Sequence, residues 1–253
     1  MKQLNEKVAI ITGAGQGIGK GLALHLAKRG VKIVCIGRRP EPIAQTAKEV
    51  QELGSQSFSM SCNTADREQV KEAVKKTVET FGTVDVMINN AQSIPPNAPV
   101  EETTYENMYL AWSTGTIGSL NFMQECFPYM KEQQEGRIIN FASATGMFGY
   151  AGQLAYACNK ESIRGMTKIA AKEWGQYGIS VNCVLPGAES PAAKEWAKKF
   201  PEKYQAIIQQ QPMRRLGDPE NDIAPVIAFL SGPDSCYFSG QCLLVDGGYS
   251  IMP

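Results

Sequence analysis

The chain has 253 residues, of which 43% are hydrophobic and 20% charged, with 25 basic and 25 acidic side chains. That length and composition suit one large globular domain with a sizeable core. Zero net charge without a dense basic run argues against a polyanion as partner, and no apolar stretch is long enough to span a bilayer. The opening residues Met1-Lys-Gln-Leu-Asn-Glu-Lys7 lack a signal-peptide apolar region, so a cytoplasmic protein is expected. Seven cysteines, an odd number without a CxxC pair, predict reduced thiols, mostly buried, rather than a disulfide framework. His25 is the only histidine, which leaves no basis for a histidine-based triad or a histidine-rich metal site. No metal is expected.

Taken in order, short β-branched runs alternate with longer helical patterns. Val8–Thr12 reads as a strand, followed by a helix over 17–29. The next pair is a strand at Val31–Ile36 and a helix over 43–53. A weaker strand, Ser57–Ser61, precedes a helix at Arg67–Phe81. The strand Val84–Asn89 leads into one long helix over 105–132. Strands at Arg137–Phe141 and Ser180–Leu185 flank a helix over 154–177, and a helix over 221–230 precedes a last strand at Cys242–Val245. This alternation predicts a parallel sheet with helices on both faces, in one domain over residues 1–253. Residues 187–212 break the pattern. They are rich in Pro, Ala, Lys and aromatics, and read as a lid or substrate loop. Within them Trp196, Phe200 and Tyr204 fall at i, i+4 and i+8, one apolar stripe if the segment is a single helix.

Chemistry enters first at Thr12-Gly-Ala-Gly-Gln-Gly-Ile-Gly19, between the first strand and the first helix. Gly13, Gly17 and Gly19 permit a tight turn and close backbone approach, and the amides at Gln16–Gly19 would face a pyrophosphate. Ile18 stands where a strict GxGxxG would have its last glycine. The second strand ends Gly37-Arg38-Arg39. An NAD site places an acidic residue about 20 residues past the turn, on the ribose hydroxyls. Two guanidinium groups suit a 2′-phosphate instead, so NADP is expected over NAD.

Further along stand Tyr156-Ala-Cys-Asn-Lys160 and, thirteen residues before the tyrosine, Ser143. Tyr156 and Lys160 share a helix face one turn apart. An ammonium beside a phenol favours the phenolate, so Tyr156 is expected below its usual pKa of about 10 and ready for proton transfer.

Together with Asn89-Asn90-Ala91, Val181-Asn182, Pro186-Gly187 and Val245-Asp246-Gly247-Gly248, these motifs resemble the short-chain dehydrogenase/reductase family over essentially the whole chain. The resemblance implies a Rossmann-type, doubly wound, seven-stranded parallel sheet. It also implies a homotetramer, and reversible hydride transfer between a nicotinamide and an alcohol or ketone. Tyr156 would be the proton donor or acceptor. Lys160 would hold the nicotinamide ribose and depress the tyrosine, and Ser143 would bond the substrate oxygen. Asn63, where an Asp is usual, and Thr64 would lie near the adenine. Asn90, Ala91 and Gln92 would line the ribose, and Pro186, Gly187 and Ala188 the nicotinamide. Ser190 is the nearest hydroxyl for the nicotinamide amide, because Pro191 occupies the usual Thr position. Gln92 replaces a Gly, and Trp112 replaces the Asn that orders a relay water. Thr114, or else Ser113, is expected to substitute for it, unless both hydroxyls bond a carbonyl one turn back.

Asn89-Asn-Ala-Gln92, Glu125-Cys-Phe-Pro-Tyr129 and Ile139-Asn-Phe-Ala-Ser143 are similar to segments of bacterial 12α-hydroxysteroid dehydrogenases, which act on bile acids. A steroid substrate is therefore expected, touching Gln92, Ser143, Tyr156 and Trp196. Two alternatives stand beside it. One is a 3-oxoacyl carrier-protein reductase or general ketoreductase, whose acidic partner could dock on Lys194, Lys198 and Lys199, although a solvated helix face is the favoured reading of those lysines. The other is a catalytically silent dinucleotide sensor, against which the intact Ser143, Tyr156 and Lys160 speak.

Overall fold

β1 (Val8–Thr12), β2 (Lys32–Gly37), β3 (Ser57–Ser61), β4 (Val86–Asn89), β5 (Gly136–Phe141), β6 (Ile179–Pro186) and β7 (Cys242–Val245) form one parallel sheet in the order 3-2-1-4-5-6-7. The structure is a computed structural model and describes residues 4–251. Each interior strand is buried on both faces, which is why its sequence reads as a continuous apolar run. Along β1, Ala9 and Ile11 point into one core while Ile10 points into the other. β4 repeats this, with Val86 and Ile88 on the first side and Met87 on the second.

Helices α1 (Gly17–Ala27), α2 (Pro40–Glu52) and α10 (Ala224–Ser231) cover the first face through Leu22, Leu26, Val50, Ile227 and Leu230. The second face is covered by α3 (Arg67–Phe81), α5 (Gly118–Glu132) and α7 (Leu154–Trp174), through Val70, Val74, Phe122, Met123 and Ala170. α3 shows how the sequence sets its own bounds. Asp66 caps it by accepting from the amides of Glu68 and Gln69, and Gly82 ends it at φ +82°.

Four expectations are corrected. The long helix is three pieces: α4 (Tyr105–Ala111), a π-helical turn at Trp112–Ile117, and α5. The helix expected over 221–230 opens with another π turn at Pro219–Ile223 before α10. A short helix, α6 (Ala144–Phe148), was not foreseen. Residues 187–212 hold two helices, α8 (Pro191–Lys199) and α9 (Pro201–Gln210), so the aromatic stripe is broken at Phe200, where Pro201 cannot continue the first helix. Trp196 and Phe200 still meet, with ring centroids 5.8 Å apart, while the Tyr204 hydroxyl turns away to Glu189 at 3.2 Å.

Candidate active site

The sheet order reverses between β1 and β4, and a crevice opens there at the carboxyl ends of the strands. One hydroxyl joins its two walls. Thr12 Oγ1 accepts from the amides of Asn90 at 2.9 Å and Ala91 at 3.0 Å, and donates to Ile88 O at 3.3 Å. Asn90 Nδ2 returns a bond to Thr12 O at 2.9 Å. The glycine turn is thus tied to the end of β4. Gly13 has φ +69°, and a Cβ there would lie 2.8 Å from Asn90 Nδ2. A Cβ on Gly19 would lie 2.2 Å from Gly13 O, so Gly19 serves the tightness of the turn rather than the cleft surface.

The cleft has a volume of about 570 Å³. Gly13, Gln16, Gly17, Ile18, Arg38, Arg39, Asn63, Thr64, Asn90, Ala91, Gln92 and Ser190 all line it. Gly19, Tyr156, Lys160, Pro186, Gly187 and Ala188, also expected at the cofactor, are not among its lining residues, and neither are Ser143 and Trp196. Sequence reasoning missed Ser93, Ile94 and Pro191 on its wall, although Ser93 and Pro191 each adjoin a residue it selected. Gly15 and Pro42 also escaped it, because their nearness, 2.8 Å from a Gly15 Cβ, is a tertiary contact.

A nicotinamide dinucleotide fits these residues. Gln16 makes no side-chain cap on α1, so the first amides of that helix face the cleft uncapped. Gln16 Oε1 instead accepts from Arg39 at 2.8 Å, across the cleft mouth. Arg38 and Arg39 are exposed, and among the described residues neither makes a salt bridge to a carboxylate. Both amide atoms of Gln92 are shielded from solvent without a protein partner, so this side chain also has bonds to offer. Ser190 Oγ is already engaged as the α8 cap, accepting from Ala193 N at 3.0 Å.

Ser143 is the N-cap of α6, its Oγ accepting from Thr145 N at 3.2 Å. α6 lies close on α7, because a Cβ at Gly146 would sit 2.8 Å from Glu161 and 3.2 Å from Lys160. Ser143 and Tyr156 are thereby brought within hydrogen-bonding reach. Lys160 is fully buried, and its Nζ donates to Phe141 O at 2.6 Å and lies 5.6 Å from the Tyr156 ring centroid.

The electrostatics correct the expected tyrosine. Burial raises the Tyr156 pKa, and the hydrogen bond with Ser143 opposes that only in part. Lys160 does not supply the expected depression, because burial brings its own pKa down to about 7 and leaves it only partly charged at neutrality. A half-buried, protonated phenol beside a serine hydroxyl is arranged to give a proton to a carbonyl oxygen.

The expected relay hydroxyls are engaged elsewhere. Thr114 Oγ1 donates to Leu110 O at 2.7 Å and accepts from Ser93 N at 3.0 Å, and Ser113 reaches the same carbonyl at 3.5 Å. This is the back-bonding pattern of mid-helix Ser and Thr. Trp112 points outward, 43% exposed. The π turn is held from α7, where Asn159 Oδ1 accepts from Thr116 N at 2.8 Å and Thr116 Oγ1 at 2.7 Å.

Comparison with known proteins agrees with this geometry. The family described as "Enoyl-(Acyl carrier protein) reductase" matches residues 13–250. The chain is 39% identical over 254 residues to 12alpha-hydroxysteroid dehydrogenase of a Clostridium species, covering 98% of both chains. It is 36% identical over 251 residues to a 3-oxoacyl acyl-carrier-protein reductase of Thermotoga maritima, covering 98% of this chain and 100% of that one. Among solved structures, NAD+-bound xylitol dehydrogenase superposes with a TM-score of 0.91 at 31% identity, covering 98% of this chain and 100% of that one. Sheet order, glycine turn and the Ser143, Tyr156 and Lys160 cluster therefore have one reading: the chain belongs to the short-chain dehydrogenase/reductase family, oxidoreductases that act on an alcohol or ketone with NAD(P).

Proposed function

We propose that the protein is an NADP(H)-dependent hydroxysteroid dehydrogenase, interconverting a secondary alcohol and a ketone on a sterol such as the 12α position of a bile acid. The observation that carries the substrate is the 39% identity to a 12alpha-hydroxysteroid dehydrogenase across 98% of both chains. Cofactor choice is supported by Arg38 and Arg39 at the tip of β2, where an NAD site would hold a carboxylate. When bound, the dinucleotide supplies or takes the hydride. Residues of this chain handle the oxygen. Ser143 and Tyr156 hydrogen-bond the carbonyl, and Tyr156 moves the proton. Lys160 is placed beneath the tyrosine by its bond to Phe141 O. A homotetramer is part of the same proposal.

The second reading, a 3-oxoacyl carrier-protein reductase, draws on the 36% identity to such an enzyme. The surface argues against it. Lys194 pairs with Glu189 at 3.2 Å and Lys198 with Glu195 at 3.0 Å, so two of the three lysines on α8 are already neutralised.

One assay separates these readings. NADPH and NADH oxidation is followed by absorbance with keto-bile acids and with β-ketoacyl thioesters. The hydroxysteroid reading expects NADPH turnover on a 12-keto bile acid far above that on the thioester. Turnover on the thioester alone moves the protein to the second reading. Tight NADPH binding with no turnover on any ketone makes it a sensor.

A further inference from the structure

Away from the cleft, two cysteines face each other across the last pair of strands. Cys183 of β6 and Cys242 of β7 are direct register partners, and their sulfurs stand 3.0 Å apart. Adjacent strands run about 4.8 Å apart. That spacing falls within the roughly 4.4–6.8 Å between Cα atoms that a disulfide spans. Both side chains lie on the α7 side of the sheet, in a small cluster with Ile163, Met166 and Leu185. Cys183 is fully buried and Cys242 half-buried at the sheet edge. Neither has a part in the proposed hydride transfer.

The surroundings assign the two thiols unequal roles. The Cys183 thiol donates to Cys242, and Arg164 and Lys168 of α7 add positive charge beside it. Together these hold Cys242 down at about 6 against the effect of burial. Cys183 moves the other way, raised by the same hydrogen bond and by burial. A half-buried thiolate with a protonated thiol touching it is the arrangement of an attacking cysteine and its resolving partner.

We propose that Cys183 and Cys242 are a reversible two-electron modification site, closing to a disulfide between β6 and β7 when the protein meets a peroxide. Cys242 thiolate attacks one peroxide oxygen, breaking the O–O bond. It becomes a sulfenic acid, and the departing hydroxide leaves as water with one proton. The Cys183 sulfur then attacks the sulfenic sulfur, forming the S–S bond and expelling the hydroxyl as a second water. Two thiols are oxidised and one peroxide is reduced to two waters. A dithiol reductant reverses the step by exchange.

The bond would pin the edge strand to its neighbour just before both reach the cleft end of the sheet. Past β6, Gly187 N donates to Val245 O at 2.9 Å, and a Cβ on Gly187 would lie 2.7 Å from Asp246. The modified pair also sits under α7, where Arg164 follows Lys160 by one turn.

The test uses full-length reduced protein treated with hydrogen peroxide near neutral pH. Remaining thiols are blocked with N-ethylmaleimide under denaturing conditions, and the digest is read by mass spectrometry with and without dithiothreitol. The expected result is a cross-linked peptide joining Cys183 to Cys242 that dithiothreitol dissolves. Cys242→Ser should abolish it and leave Cys183 labelled by maleimide. Cys183→Ser should leave Cys242 as an over-oxidised acid. Exposed Cys158 and Cys236 serve as internal controls. Recovery of Cys183 and Cys242 as separate maleimide adducts, while Cys158 and Cys236 are oxidised, overturns the proposal. So does a cross-link that runs to either control cysteine. The wild-type peptide map decides the matter even where a serine variant fails to fold.

Discussion

Lys160 carries the sharpest single-residue consequence. Its pKa is about 7 in the fold, against an ordinary 10.5, because its ammonium is desolvated. Between those values the unfolded chain binds the extra proton, so this group's contribution to stability is lowest below pH 7 and rises as pH climbs toward 10.5. Lys160→Met removes that dependence. The melting temperature of the variant minus that of wild type should therefore be greatest near pH 7 and shrink toward pH 10, and a difference that stays constant with pH would refute the assignment. Tyr156→Phe keeps the ring and deletes the phenol in reach of Ser143. Turnover is expected to fall by about 10²–10⁴, the usual worth of general acid–base catalysis, with NADPH binding retained by titration calorimetry. Near-normal turnover would remove Tyr156 from the proposed mechanism. Arg38→Ala takes away a charge-assisted contact proposed for the 2′-phosphate, and should weaken NADPH roughly tenfold or more while NADH changes little. Equal loss for both cofactors would make Arg38 a support of the fold.

Among the elements, the π turn at Trp112–Ile117 is the one most dependent on a distant residue. A Cβ on Gly115 would lie 2.4 Å from both Asn159 Nδ2 and Oδ1, so glycine lets the amide reach Thr116. Gly115→Ala should cost about 1–3 kcal/mol by overpacking, and in an Asn159→Ala background the same change should cost much less. Additive losses measured by urea unfolding would break the link. This dependence explains what the sequence could and could not disclose. β1 and α3 were read to the residue, since two-sided burial and local caps write themselves into the chain, and so were the less buried edge strands β3 and β7. The π turn was hidden because its cause lies 43 positions away, at Asn159. α6 was hidden because its cap, Ser143, had been read only for chemistry. In the site, the glycines, Asn90 and Tyr156 with Lys160 were legible as motifs, whereas the direction of the tyrosine shift was not, since it depends on burial. α8 is the element nearest a substrate reading. Its first residue, Pro191, packs 3.2 Å from a Cβ position on Gly17, and Trp196 follows on the same helix. Trp196→Ala is expected to raise the KM for a bile acid with little loss of melting temperature. A large drop in melting temperature at unchanged KM would assign the ring to packing instead.

At the scale of the whole molecule, two apolar cores share a single sheet, and the crevice lies where the strand order turns back. If the proposed assembly holds, sedimentation equilibrium will give four chains per particle, and a monomer at working concentration would discard it. The tie made by Thr12 to Asn90 and Ala91 has a consequence for how such a protein can be remade. It closes the dinucleotide cradle almost wholly from the first 94 residues, with Thr114, Ser190 and Pro191 as the later additions. Ser143, Tyr156 and Lys160 all follow the surface turn at Gln134, which has φ +54°. Cofactor grip and carbonyl chemistry are thus written in successive stretches of one reading frame. A hybrid gene spliced at that turn would inherit its coenzyme preference from one parent and its reacting groups from the other.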